Sequence, residues 1–401
     1  MRVTAGLCFA LGLVLLNAWR GEIPEVDASQ LLLRCMAARD AWKTMDIGAL
    51  WSVGVQPIPN PGWMAVWIGL WMTVLGPWTW VGVLALAPWA VALVVGLWEG
   101  GEALGGKKGA ALALLLGVGH PMFWYQGQRL MLDLPLTGAV VLAGAWILKG
   151  RSPFVAMAMA LPVKLAAVAG LAGMGVDSLF SQKATRWKLV AGLALVGLVL
   201  YGPGIVQLLD YARGNANIPR EFLGIGGTGA RLKLSLSFLP ALLGPVGLIA
   251  GVGALLVGPK ALRPLLWSGA YLLGISLLTQ LPQPRYLLPL WGLWALAAAV
   301  LGARPGVALL VGLLSLGRWG IPGLDSGVSL APVRDLAELD GLLDQIEAGR
   351  GPAPRLRVEL WIEPGGVLSV AGLQARAQQR GLPLDFLDIE AGMDSDLGLE
   401  L

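Results

Sequence analysis

Seven side chains able to do polar chemistry stand in a chain otherwise poor in them. Glu25 and Asp27 lie in EIPEVDASQLLLR, Arg129 and Asp133 in GQRLMLDLPLTG, Lys164 in ALPVKLAAV, and Arg285 with Tyr286 in LPQPRYLLPLW. Carboxylates can take protons as general bases, a role worth about 10²–10⁴-fold in rate. Guanidinium groups hold an anion such as phosphate bidentately, whereas a lysine ammonium meets it as a point charge. Each motif adjoins an apolar run, and a charge at membrane depth is costly unless it is paired or used.

Each residue also has a purely structural reading. Arg129 and Asp133 are spaced as an i,i+4 helix pair, worth a few tenths of a kcal/mol. Asp133 two residues before Pro135 also fits a helix N-terminus, where a carboxylate offsets the dipole. Lys164 could snorkel to an interface, Arg285 could anchor a surface, and Glu25 and Asp27 could be solvated loop charges. His120, before Pro121, reads as structural. Only convergence on one side of a membrane would make the seven a site.

The composition requires that membrane. Of 401 residues, 56% are hydrophobic and only 13% charged, against about 25% charged in a soluble domain. Mean hydropathy is +0.70, and the apolar runs approach the ~20 residues that span hydrocarbon. The tryptophans at run ends (Trp19, Trp78, Trp80, Trp98, Trp124, Trp187) suit interfacial anchoring. Two cysteines make no disulfide framework. A single histidine excludes a His-rich metal cluster. The net charge of +4 suits anionic lipid and suggests no nucleic acid partner. No phosphate-loop motif occurs, since GEALGGKKG has the wrong spacing.

Basic turns should face the cytoplasm. These are GGKKG (Lys107, Lys108), LKGR (Lys149, Arg151), SQKATRWK, GPKALRP (Lys260, Arg263) and GAR (Arg304). The first 19 residues lack a small-x-small cleavage site and read as an uncleaved first helix with a cytoplasmic N-terminus. Parity makes 79–98 a crossing and 62–77 an interfacial or re-entrant helix, with two short segments, 153–163 and 165–181, meeting at Lys164. The expected fold is all-α and polytopic, with about 11 transmembrane helices. The costly ionisable groups then nearly all reach the outer lip. From about 330 the pattern changes: LAELDGLLDQIEAGR is amphipathic, RLRVELWIE and PLDFLDIE suit strands, and SVAGLQARAQQRG is helical. We therefore expect a membrane domain over 1–320, including an outer loop at 20–78, and a small extracytoplasmic α/β domain over 321–401.

The order of motifs resembles that of the GT-C integral-membrane glycosyltransferases, in particular the protein O-mannosyltransferase and aminoarabinose transferase branch. The resemblance covers roughly residues 1–300. It runs through PEVDASQLLLRCMAARDAW, PNPGWMAVWIGLWMTVLGPW, LGVGHPMFWYQGQRLMLDLPLTGAVVLAGAW, ALPVKLAAVAG and LPQPRYLLPLWGLWALAAA. Two departures stand out: the first motif lacks its following aromatic, and the proline turn reads Asn60-Pro61-Gly62 where the family often has His-Pro-Pro.

The resemblance implies a polyprenyl-phosphate-linked sugar donor in the lipid bilayer and transfer to an acceptor hydroxyl at the extracytoplasmic face. On that reading Asp27, with Glu25 nearby, is the catalytic base, and Asp133 holds the acceptor or orients the base. Arg129, Lys164 and Arg285, with Tyr286, bind the donor phosphate. No cofactor is expected and no metal ligand set is clustered, although carboxylates and water suit Mg²⁺ or Mn²⁺. A bacterial plasma membrane with a periplasmic site and C-terminus is the expected location. Two other classes remain: a lipid or solute transporter, suggested by the proline and lysine in ALPVKLAAVAGLAG, and a non-catalytic scaffold of the same fold.

Overall fold

The computed structural model describes residues 2–20, 26–56, 62–164, 166–181, 186–206, 228–278, 284–304, 306, 311, 335–349, 356–360, 370–382 and 384–388. Apolar runs fold as helices because a helix satisfies its own backbone groups in hydrocarbon. In chain order these are α1 (Arg2–Arg20), α2 (Val26–Thr44), α3 (Ile47–Val55), α4 (Trp63–Leu75), α5 (Thr79–Ala85), α6 (Ala87–Val118), α7 (Pro121–Gly127) and α8 (Asp133–Leu148). Then follow α9 (Phe154–Ala160), α10 (Ala167–Ser181), α11 (Arg186–Tyr201), α12 (Thr228–Ser237), α13 (Leu239–Val257), α14 (Leu262–Leu278) and α15 (Leu288–Ala298).

Helix α8 is the hub. It is apolar on every side, and all its residues except Trp146 and Leu148 are buried, as befits a helix inside a bundle. Helices α6, α9, α10 and α15 surround it. Its 16 residues make it about 24 Å long at 1.5 Å per residue. Two described stretches, Arg2–Trp19 and Arg285–Gly302, are long and apolar enough to cross a membrane alone, and α5 with α6 forms a pair bent by 45°.

Helix α6 doubles back on itself. Gly105 and Gly106 leave helical geometry, Gly106 at φ +65°, a left-handed conformation that favours glycine. The two limbs then pack so closely that a Cβ on Gly101 would lie 2.8 Å from the Ala110 Cα. The 79–98 and 109–125 segments are therefore antiparallel neighbours joined at the Lys107–Lys108 turn.

Two ends of the bundle follow from contacts across it. One end, the foot, gathers the basic turns: Lys149 bonds Glu102 and Arg151 bonds Glu99. At the same end, Leu104, Val257 and Leu265 pack against the cluster of Ala254, Ala261, Ala297 and Val300. The other end, the lip, holds Asp133 and the chain around Lys164. Residues 151–164 run from foot to lip as α9 and a turn, and α10 returns to the foot, where Asp177 meets Arg263. The lip also carries α4, which lies on α2; a Cβ on Gly82 of α5 would touch both Leu130 and Met72 of α4. The Trp63 indole N–H donates to the Leu200 carbonyl there, at 3.2 Å.

Not every tryptophan is an interfacial anchor. Trp19 and Trp78 are exposed, but Trp89, Trp267 and Trp291 are buried. Trp89 and Trp291 donate to the backbone carbonyls of Met159 and Leu116, the partner that a buried indole N–H needs.

The tail contains α16 (Asp335–Gly349), β1 (Leu356–Leu360), α17 (Val370–Gln379) and β2 (Leu384–Asp388). The strands pair in parallel, Leu356 opposite Leu384, with α17 in the crossover that parallel strands require. Arg376 grips Asp340 with Nε at 2.9 Å and Nη2 at 2.7 Å, tying α17 to α16. Helix α17 also rests on α2, so the tail shares an end with the segment that carries Asp27. The expected boundary near 320 lies outside the described residues.

Candidate active site

The lip cluster begins with the first turn of α8. Asp133 opens the helix, Pro135 follows, and the Thr137 hydroxyl donates to the Asp133 carbonyl at 2.8 Å. The Asp133 carboxylate is thus fixed at the helix's positive end. Lys164 stands at the break between α9 and α10, where the turn is closed by Val163 N–H to the Ala160 carbonyl and Ala167 N–H to the Lys164 carbonyl. Arg285 and Tyr286 occupy the 3₁₀ turn Pro284–Leu287 ahead of α15. The Tyr271 hydroxyl of α14 donates to the Tyr286 carbonyl at 2.6 Å and holds that turn in place.

These three segments meet on one carboxylate. Lys164 Nζ lies 2.8 Å from Asp133 Oδ1, and Arg285 Nε lies 3.8 Å from Asp133 Oδ2. The Tyr286 ring sits under both cations, 4.2 Å from the Lys164 ammonium and 5.4 Å from the Arg285 guanidinium. The side chains are only 3%, 16% and 11% exposed for Asp133, Lys164 and Arg285. One acid therefore faces two cations in a largely dehydrated place. The three side chains carry a net formal charge of +1 between them.

Arg129 is arranged differently from its i,i+4 reading. Residues 129–132 are bends that precede α8, so no helix connects Arg129 to Asp133, and the two Asp133 oxygens face Lys164 and Arg285. The Arg129 guanidinium instead stacks 3.9 Å above the Tyr125 ring. The bend is held by the Asn17 amide, which donates to the Gln128 carbonyl at 2.6 Å, and by the Thr79 hydroxyl, which donates to Asn17 Oδ1. Arg129 stays at the lip but outside the triad.

Asp27 lies in the first turn of α2, and its side chain is outside the described residues, as is all of Glu25. His120 is structural: its Nδ1 accepts from Met122 N–H at 3.1 Å and its Nε2 lies 3.0 Å from the Leu242 carbonyl. Among the described residues no three His, Cys, Asp or Glu side chains are grouped to hold a metal ion.

Sequence reasoning missed four contributors. Tyr271 had a legible signal, a lone tyrosine in an apolar helix whose hydroxyl must find a partner. Gln128 is buried with its amide unbonded among the described residues, and its neighbour Gln126 is also buried. Asn17 is buried in α1. The expectation that costly charges nearly all reach one lip is also corrected. Glu99, Glu102 and Asp177 lie at the foot, where basic turns fold back onto them.

With this geometry in view, two solved structures resemble the chain. One is ArnT from Cupriavidus metallidurans bound to undecaprenyl phosphate: TM-score 0.62, 15% identity, covering 96% of this chain and 85% of that one. The other is the same protein in the apo state: TM-score 0.60, 15% identity, covering 94% and 84%. The chain shares the fold of that protein. It is the fold that the motif order implies, and it extends over nearly the whole chain. No family model matches the chain, and no curated protein matches it.

Proposed function

We propose that the chain is a glycosyltransferase that moves a sugar from a polyprenyl-phosphate-linked donor to an acceptor hydroxyl at the lip of the bundle. The observation that carries this reading is the buried triad: two cations held side by side by one carboxylate, in a GT-C fold that in ArnT binds undecaprenyl phosphate. In the reaction the acceptor oxygen bonds to the sugar's anomeric carbon, and the bond from that carbon to the phosphate oxygen breaks. The electron pair leaves with polyprenyl phosphate, and the acceptor proton passes to a carboxylate base.

Lys164 and Arg285 offset the charge that grows on the departing phosphate, a stabilisation that is strongest where water is excluded. Asp133 has the role of a clamp. Salt-bridged to both cations, it holds them in register for the phosphate. The base is then Asp27, whose helix starts at the same end. The tail sits at this end as well, and the concentration of basic turns at the foot supports a cytoplasmic foot and an extracytoplasmic lip.

The test is sugar transfer from a radiolabelled polyprenyl-phosphate donor in membranes, beside solute uptake in vesicles. Asp27→Asn and Lys164→Gln should abolish transfer while the protein still accumulates in the membrane. Full transfer in both variants would remove these residues from the chemistry. Uptake without transfer would favour a transporter.

A further inference from the structure

An apolar groove of about 1000 Å³ runs between α1 and the two limbs of α6, from Ala5 and Ala111 near the foot to Trp19 and Trp124 toward the lip, and no triad residue lines it. One wall is a stripe on α1 through Ala5, Phe9 and Gly12, and the other a stripe on the second limb through Ala111, Leu115 and Val118. Both stripes end at the foot in a cation. Arg2 lies three residues before Ala5, and Lys107 lies four residues before Ala111, spacings that put each pair on one helix face. The outer side of α1 (Val3, Leu7, Leu11, Leu15) is exposed, so the groove opens to the bilayer and an acyl chain can enter it sideways.

The foot of the groove has surplus positive charge. Glu99 and Glu102 are met by Arg2, Lys149 and Arg151, and Lys107 and Lys108 stand exposed on the adjoining turn. Five cations thus face two carboxylates. Among the described residues no carboxylate lies within ion-pair distance of Lys107 or Lys108. Lys107 acts on Glu102 only from beyond that distance, so both exposed ammonium groups are open to an external anion at headgroup depth.

We infer that the groove is a site for an anionic phospholipid of the leaflet at the foot, with its phosphate on Lys107 and Lys108 and one acyl chain along Ala111 and Gly12. The occupant is a phospholipid and not the sugar donor because its charged end is anchored at the foot, the full length of α8 from Asp133. The site does not depend on the transferase reading, since it shares no residue with the triad.

The full-length protein would be reconstituted in bilayers of equal parts phosphatidylglycerol and phosphatidylcholine, and retained lipid counted by native mass spectrometry. We expect phosphatidylglycerol to be retained about tenfold over phosphatidylcholine, in line with the attraction of lysines to anionic headgroups. The pair Lys107→Gln and Lys108→Gln should bring the ratio near one. Ala111→Trp, at an exposed position, should remove retention of both lipids, whereas Lys164→Gln should leave the ratio unchanged. Equal retention of the two lipids by the unaltered protein would overturn the proposal. So would full retention in Ala111→Trp, displacement of phosphatidylglycerol by undecaprenyl phosphate, or loss of a dimer as the only effect of Ala111→Trp. The lysine variants, both at exposed positions, decide the matter if the tryptophan variant does not fold.

Discussion

Two charge clusters sit at opposite ends of α8, built from the same residue types and in different surroundings. At the lip, Asp133 meets Lys164 and Arg285 with all three side chains largely buried. At the foot, Glu99 meets Arg2 and Arg151, whose side chains are 39% and 58% exposed. Water and salt screen the foot cations, so each pair there contributes at most about 1 kcal/mol. At the lip there is little water to screen, and desolvating three charges costs more than simple packing would. An arrangement that is expensive to keep dry is what the proposed role in phosphate binding would explain. The foot needs no such explanation, because its pairs set the register between α1, α6 and the turn after α8.

The largest effect should follow from breaking the lip clamp. Asp133→Asn removes the carboxylate that both buried cations share, a loss of about 3–5 kcal/mol in stability. Thermal unfolding in detergent should show the drop, together with loss of transfer. If Asp133→Asn melts with the unaltered protein, the triad is not the strained element that its burial implies.

Replacing one cation should separate charge from geometry. Arg285→Lys keeps the charge but loses the guanidinium fork, and we expect transfer to fall by about 10²-fold with stability nearly unchanged. Lys164→Gln should lower transfer further. Should Arg285→Lys transfer at the normal rate, Arg285 acts only as a point charge and bidentate phosphate binding is ruled out.

Much of the lip was legible in the sequence, because its parts are rare in an apolar chain. An aspartate opening a helix, a lysine beside a proline and an arginine before a tyrosine stand out individually. Topology was enough to put Asp133, Lys164 and Arg285 at one end. Which pairs form was not legible. The i,i+4 spacing suggested Arg129 as the partner of Asp133, but the bend at 129–132 breaks the helix that such a pair needs, and long-range packing delivers Lys164 and Arg285. The foot acids were overlooked because a glutamate inside GLWEGGEALGG looks like a loop charge until the chain folds back at Gly105–Gly106 and brings basic turns onto it. The doubling itself was legible, because the basic turn at Lys107 and Lys108 separates the apolar runs 79–98 and 109–125; which acids it brings against which cations was not.

The foot supplies the contrast to the lip variants. Glu99→Gln removes a carboxylate that Arg2 and Arg151 share, but Arg2 still reaches Glu102 and both cations reach water. We expect a loss of about 1–2 kcal/mol in thermal unfolding and unaltered sugar transfer. A loss of transfer matching that of Asp133→Asn would mean that the two ends are coupled, and that the division between a working lip and a stapling foot is wrong.

The smallest effect concerns the tail, where an ion pair sits outside the membrane. Arg376, bonded to Asp340, holds that carboxyl below its ordinary range, and Arg380 also reaches Asp344 and the Asp340 carbonyl. A folded-state pKa lower than the unfolded one stabilises the fold fully above the unfolded value, about 3.9, and progressively less as pH falls through the lowered one. Acidification below about pH 4 should therefore loosen the contact between α16 and α17 before the membrane helices respond. Limited proteolysis of the reconstituted protein at pH 7 and pH 3, with an acid-stable protease, would show new cleavage in the tail at the lower pH only. Arg376→Gln should show the same cleavage already at pH 7. Equal resistance of the unaltered protein at both values would mean that apolar packing of α17 on α2, and not the Asp340 pair, holds the tail to the lip.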